Sequence, residues 1–307
     1  MVRYVIWRAL SSIPLLFLVI TVSFFLVRLA PGSPLARERA MPPEIRARLE
    51  RHYGLDQPWS IQYWNYLRGL LRFDLGPSYK QKEASVNALI ARAWPVSATL
   101  GALAFALALL AGVALGCLAA TRRATFTDRS LVFLALVGVS VPNFVLGPLL
   151  VLIVSLNLLW LPPAGWGESR HVVLPAITLA APYVAYIARL TRAGMLQALQ
   201  EGYILTARAK GLREYGVLIK HALRVGILPV ISFSGPAIAF LVTGTVVVER
   251  IFAIPGLGNL FVQAAFNRDY TLILGIVLVV STALFLFNLL VDIIMVILDP
   301  RIHYGEA

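Results

Sequence analysis

The sequence predicts an all-α polytopic membrane protein with six transmembrane helices and a long first extracytoplasmic loop. Three observations carry this. Of the 307 residues 59% are hydrophobic and only 14% are charged, against about 25% charged in a typical soluble domain. Mean hydropathy is +0.79. The charges are also clumped, leaving six stretches of about the length that spans a bilayer, roughly 20 residues. A soluble enzyme, a secreted disulfide scaffold and a disordered chain are excluded. Cys117 is the single cysteine, so no disulfide forms within the chain and no cysteine-type metal site exists.

The first apolar run, Ala9 to Val27, follows Arg3 and Arg8. It is longer than a signal-peptide core of about 7–15 residues and lacks a small-x-small cleavage site, so it reads as an uncleaved anchor. The next charge-free intervals lie between Arg92 and Arg122, Arg129 and Glu168, and Arg170 and Arg189. The last two lie between Arg224 and Glu249 and between Asp269 and Asp292. The interval from Ser130 to Gly167 is too long for one simple span. Trp160, Pro162, Pro163 and Trp166 mark its end as an interfacial loop. Pro142, Pro148, Pro175 and Pro182 predict kinks or loosened turns.

Between the first two spans, Pro43 to Arg51 predicts a short helix. Trp59 to Leu71 predicts an amphipathic one, with Trp64, Leu67, Leu70 and Leu71 on the face that lies on the outer leaflet or caps the bundle.

Lys+Arg total 27 and Asp+Glu 15, a net charge of +12 with pI ≈ 10.3. In a membrane protein this excess marks orientation rather than nucleic acid. With the N-terminus cytoplasmic, the inner segments hold Arg3, Arg8, Arg122, Arg123, Arg129, Arg189, Arg192, Arg208, Lys210, Arg213, Lys220, Arg224 and Arg301. The two short outer loops hold Arg170, Arg250 and Arg268. The first outer loop is also rich in arginine, but loops of about 60 residues largely escape the charge rule.

The chemistry-bearing motifs are missing. None of Lys80, Lys82, Lys210 and Lys220 follows a glycine, so there is no phosphate-cradling P-loop. His52, His171, His221 and His303 lie far apart, without zinc spacing. No G-x-S-x-G elbow occurs. Of the pair of intramembrane aspartates that proteolysis would need, only Asp292 qualifies, with Asp299 near the helix end. This argues against an enzyme.

One inner loop is long, from about Arg189 to Arg224. In it Leu199, Tyr203, Ala207, Leu212, Tyr215, Leu218, Ile219 and Ala222 recur at helical spacing, and Gly211 interrupts the pattern. Glycine permits positive φ, so the segment predicts helix, sharp turn, helix. One reading is a basic helix on anionic lipid. The other is a docking knob for a cytoplasmic partner. The bend favours the second, because a lipid-bound helix gains nothing from a turn.

This loop resembles the "EAA" loop of permease subunits of binding-protein-dependent ABC importers, closest to the first permease subunit of the dipeptide/oligopeptide/nickel branch. Thr206 and Ala207 stand at the alanine positions and Gly211 at the glycine. His221, Leu223 and Arg224 replace I, L and P, and Leu205 replaces the glutamate. The run T-A-R-A-K-G-L followed by H-A-L-R is similar to the peptide branch. The likeness extends along the chain through Arg28–Pro34, Tyr53–Trp59, Asp74–Gly76, Ser140–Phe144, Glu249 with Phe252 and Pro255–Gly258, and Asn288–Arg301.

The resemblance implies a type I ABC importer permease fold. It divides the chain into an N-terminal transmembrane helix (1–30), an extracytoplasmic loop region (31–93), a permease core (94–299) with its coupling loop at about 195–224, and a cytoplasmic tail (300–307). It implies a second homologous permease subunit, two cytoplasmic ATP-binding subunits that hold ATP and Mg, and an extracytoplasmic substrate-binding protein. The location implied is a prokaryotic inner or plasma membrane with both termini cytoplasmic. The substrate implied is a di- or oligopeptide, with nickel or glutathione as alternatives. A stand-alone channel or secondary transporter, and a membrane-embedded enzyme, are the competing classes.

Site residues follow from the same likeness. The ATPase-coupling loop comprises Thr206, Ala207, Lys210, Gly211, Leu212, Arg213, Glu214, Tyr215 and His221. Arg213 and Glu214 read equally well as solvated helix face. Polar residues of the third to fifth spans, Ser140, Asn143, Thr178, Ser232, Ser234, Thr243 and Thr245, are pathway candidates that could equally make interhelical hydrogen bonds. Glu249 and Asp292 are outer-gate or structural charges. For Asp292, pairing with Arg3 or Arg8 is favoured over a substrate role.

Overall fold

The computed structural model describes residues 2–30, 42–81 and 84–298. Pro31–Pro34, Lys82, Asp299, Arg301 and the tail lie outside them, as does the side chain of Arg3. The described residues form helices α1 to α14 and no strand. Five helical stretches are long and apolar enough to cross a membrane, and a sharply bent helix pair makes a sixth if read as one span.

Helix α1 (Val2–Leu29) runs along α14 (Tyr270–Leu298) at the edge of the bundle. In the segment between the first two spans, α2 (Pro43–His52) and α3 (Trp59–Leu71) form as expected. The contact face of α3 is different, however. Tyr63 and Tyr66 pack on the buried Phe24 ring, with centroids 5.0 and 5.8 Å away. Trp64 and Leu71 remain 54% and 84% exposed. Arg28 explains the choice: its guanidinium lies 3.4 Å over Phe24 and donates to Gln62 Oε1. That pins the Gln62–Tyr66 side of α3 to α1.

Helix α4 (Val86–Thr121) starts inside the stretch read as outer loop, where the Ser85 hydroxyl accepts from the Ala88 N–H. At 36 residues it is about 54 Å long and overshoots a hydrocarbon core of about 30 Å. Its partner is α7 (Ser169–Ala198). The two meet through Gly112 and Gly116, where added Cβ atoms would lie 2.7 Å from the Ile187 side chain and 2.5 Å from the Ala188 carbonyl. Such small-x-x-x-small spacing lets two backbones approach closely.

Helices α5 (Phe126–Ser140) and α6 (Asn143–Leu150) meet at 102°, and α6 runs on into a π-helical segment, Val151–Asn157. Pro142 forces the bend, because a residue before proline is pushed to extended backbone; Val141 has ψ 114°. Beyond it, residues 158–168 form the irregular segment expected from the Trp/Pro cluster.

Helix α11 (Leu228–Val242) continues after a turn at Gly244 as α12 (Val246–Ile251). The core lies where α4, α7, α11 and α12 meet, around Leu100, Leu179, Ile187, Leu241 and Phe252. Helix α13 (Leu257–Asn267), which the charge-interval reading did not separate, lies between α12 and α14.

Candidate functional site

The long loop between the spans of α7 and α11 folds as α8 (Gly202–Ala209), a tight turn, then α9 (Glu214–Gly216), a π-helical run Val217–Ala222 and α10 (Leu223–Gly226). Gly211 has φ +75°. The Leu212 N–H reaches the Ala207 carbonyl at 3.4 Å and the Lys210 N–H the Thr206 carbonyl at 3.1 Å. This is the glycine-terminated helix end expected of a left-handed residue after the C-cap. The turn is closed across its mouth by Arg208, whose Nη2 and Nε donate to the two Glu214 carboxylate oxygens at 2.6 and 3.2 Å. The Arg208 guanidinium holds the Glu214 carboxyl below the usual carboxylate range.

The apolar residues of this element divide between two faces. Ile204, Ala207, Val217 and Ala222 are buried with Ala120, Met195 and Ala198, seating the element on the ends of α4 and α7. Leu212, Tyr215 and Ile219 are exposed, at 47%, 76% and 44%. A single helical period could not sort them, because the turn resets the helical phase. Lys210, Gly211, Arg213 and Glu214 are exposed at the tip, Thr206 is exposed on α8, and His221 is half-buried. The tip therefore presents two large apolar side chains among cations, an arrangement of the kind found where a surface is covered by a partner.

The mount is close-packed. A Cβ on Gly194 of α7 would lie 2.2 Å from the Gly226 carbonyl oxygen of α10, so the two backbones touch with no room for a side chain between them.

The polar residues singled out along the spans do not converge on one surface of this subunit. Thr178 is fully buried and donates to the Leu174 carbonyl. Thr243 is buried and donates to the Ala239 carbonyl. Ser140 and Ser234 back-bond to Leu136 and Val230. Ser232 is exposed and donates to Met295 Sδ at 3.6 Å. Asn143 Oδ1 and Thr245 Oγ1 are buried atoms with no partner among the described residues. They start the packed helices α6 and α12.

The charged residues sort more clearly. Asp292 accepts from Arg8 Nε at 2.9 Å, joining α14 to α1. Glu249 is fully buried. Its carboxylate accepts from Ser97 Oγ at 2.7 Å and from the Asn259 N–H at 2.8 Å, with the Gly258 N–H also turned on it. The Ser97 oxygen in turn accepts from the Leu257 N–H at 2.7 Å. The first three N–H groups of α13 are thus capped from α4 and α12, because Gly256 has no side chain to do it.

Sequence reasoning missed one pair. Asp128 and Arg192 make a two-point bridge, Oδ1–Nε 2.7 Å and Oδ2–Nη2 2.8 Å, between α5 and α7. The T-x-x-D at Thr125–Asp128 was the available signal, a helix-start pattern that Thr125 fulfils by accepting from the Asp128 N–H. Replacing Arg192 with methionine leaves a carboxylate that is 5% exposed unpaired. A loss of roughly 2–4 kcal/mol is expected, read as a lowered unfolding midpoint in detergent. Adding Asp128→Leu recovers most of it.

The described residues thus form a polytopic helical bundle with helices of membrane-spanning length and a bent loop that exposes apolar and basic side chains, the architecture of a multi-pass membrane protein. Comparison with known proteins gives the same class. The family described as binding-protein-dependent transport system inner membrane component matches residues 112–304, and its N-terminal counterpart matches residues 1–101. The chain belongs to this family and is a multi-pass membrane permease subunit.

Similar proteins include the oligopeptide transport system permease protein OppB of Haemophilus influenzae, 47% identical over 99% of this chain and 100% of that protein. The OppB of Escherichia coli K12 is 46% identical over the same shares. The dipeptide transport system permease protein DppB of Bacillus subtilis is 42% identical over 98% of each chain. Among solved structures, the inward-facing MetNI methionine ABC transporter has a chain that superposes with TM-score 0.55 at 16% identity, covering 69% of this chain and 96% of that one. An amino acid ABC transporter with histidines gives 0.51 at 16% identity, covering 70% and 95%. These two share the fold. Importers of this family combine permease, ATPase and substrate-binding components.

Proposed function

We propose that this chain forms half of the translocation pathway of an ATP-driven peptide importer, paired with a second homologous permease. The observation that carries the substrate class is full-length similarity to permeases named for oligopeptide and dipeptide transport. Two partner ATPase subunits bind and hydrolyse ATP with Mg. An extracytoplasmic binding protein delivers the peptide. The termini face the cytoplasm, in keeping with the basic inner segments.

The coupling element is the bent loop. Lys210, Gly211, Leu212, Arg213 and Tyr215 form the tip that enters a cleft of one ATPase, and the exposure of Leu212 and Tyr215 supports this. Ala207 seats the element, and Glu214 braces the turn through Arg208. When the ATPases close, the tip is pushed, and the Gly194–Gly226 contact passes the motion to α7. Asn143 and Thr245 remain pathway candidates, each with a buried side-chain oxygen that has no partner among the described residues.

The test is affinity purification from the native membrane, then ATP-driven uptake in proteoliposomes with di- and oligopeptides, nickel and glutathione as competing substrates. ATPase subunits should co-purify, and peptides should be taken up. Gly211→Leu adds no clash, because nothing lies within 4 Å of the added Cβ. Its cost is local strain of about 1–2 kcal/mol from positive φ. The subunit should still fold but lose most coupled transport. Wild-type uptake in this variant would sink the lever assignment.

A further inference from the structure

A cavity of about 470 Å³ belongs neither to the bent loop nor to the polar residues considered above. It is a wedge between α4 and α5, floored by α7. Leu107 and Leu115 of α4, Leu134 and Gly138 of α5, and Ile177 and Ala181 of α7 line it. The volume falls within the range of about 300–1,000 Å³ usual for ligand pockets. The wall is apolar except at one end, where Arg189 and Arg192 stand. A peptide path needs polar or wetted walls, so this groove is not a conduit.

Its shape selects the occupant. From Ile177 to Arg192 is 192 − 177 = 15 residues of helix α7, a length of roughly 22 Å at about 1.5 Å per residue. An open, apolar slot of that length along α7 matches a single extended hydrocarbon chain.

The charged end selects the headgroup. Arg192 is neutralised by Asp128. Arg189 is exposed and makes no ion pair among the described residues. Arg122 and Arg123, both exposed, sit in the turn that joins α4 to α5 at the same end. An apolar slot between helices with a basic mouth suits the acyl chain of an anionic phospholipid whose headgroup meets the cations.

We propose that the α4–α5–α7 groove is a binding site for one acyl chain of an anionic phospholipid, anchored at Arg189. The site bridges α5 and the helix that carries the bent loop, so an occupant would report on movement between them.

The test uses the complex isolated from its own membrane and reconstituted into nanodiscs. The discs contain phosphatidylcholine with a trace of either phosphatidylglycerol or phosphatidylcholine carrying a photoactivatable acyl chain. Mapped adducts are expected on α4, α5 and α7 groove residues, at least about fivefold more with phosphatidylglycerol, the discrimination that one cation supplies near a membrane surface. Arg189→Gln should abolish that preference while leaving the weaker phosphatidylcholine labelling. Ala181→Phe, at a half-buried position, should reduce both. Equal labelling by the two lipids, or a preference that survives Arg189→Gln, overturns the proposal. So does efficient photo-cross-linking to the second permease from a benzoylphenylalanine placed at Leu134, which would mean that protein covers the groove. Arg189→Gln alters an exposed side chain and keeps the test valid should Ala181→Phe fail to fold.

Discussion

Glu249→Ala is expected to lower the unfolding midpoint sharply and to loosen the packing of α13 against α4 and α12. Glu249 is the only acidic side chain at the N-terminus of α13 in the described contacts, and it reaches there from α12. Alanine leaves the Ser97 hydroxyl and the N–H groups of Gly258 and Asn259 without their acceptor. A buried donor left unsatisfied costs about 1–3 kcal/mol. Allowing for water entry at the end of the helix, a total of roughly 3–5 kcal/mol is expected. Ser97→Ala should cost less, since it frees only the Leu257 N–H and one carboxylate oxygen. Glu249→Gln keeps one amide oxygen as acceptor and should fall between wild type and alanine. Thermal unfolding in detergent, with limited proteolysis across the 252–258 turn, measures this. An alanine variant with the wild-type midpoint and an uncut turn would refute the trans-capping account.

Gly194→Val is expected to separate folding from coupling. The new Cβ would lie 2.2 Å from the Gly226 carbonyl oxygen and 3.0 Å from its carbon, which are backbone atoms that cannot swing aside. Helix α10 must move away from α7, and the seat of the bent loop on Met195 and Ala198 opens with it. Overpacking of this kind costs about 1–3 kcal/mol, less than the stability of most folded domains. The subunit should insert and assemble, yet lose at least about tenfold in ATP-driven uptake, because a shift of an ångström in a positioned element can have that effect. Gly216→Ala is the control, with nothing within 4 Å of its added Cβ; it should transport normally. Uptake by Gly194→Val equal to that of the control would show that the loop does not act through α7.

The two glycine contacts illustrate what could be read in advance. Gly211 was legible because it breaks a helical period in a charged loop, a local pattern. Gly194 lies inside the continuous helix α7 with no break in pattern to mark it, and only the nearness of Gly226, across the bent loop, gives it meaning. The same contrast holds for the acids. Asp292 in an apolar run demanded a cation, and Arg8 supplies it. Glu249 at a span's end looked like an interface charge, whereas its partner Ser97 is 152 positions away. Helix α13 escaped the charge-interval reading because its caps are remote. Its apolar spacing, Leu257, Leu260, Phe261 and Ala264, was nevertheless there to be found.

Hydropathy and charge placement by themselves determined the membrane class and the apolar spans; helical spacing broken at Gly211 marked the bent loop, and short motifs along the chain carried the likeness to the permease family. These properties are summed over neighbouring residues, and a bilayer imposes them one segment at a time. Tertiary structure alone decided which face of α3 touches α1, how α13 is capped, where Asp128 finds Arg192, and that α4 and α5 splay to leave a groove. Each depends on groups far apart in the chain, and close packing between helices, rather than the period along any one, selects them.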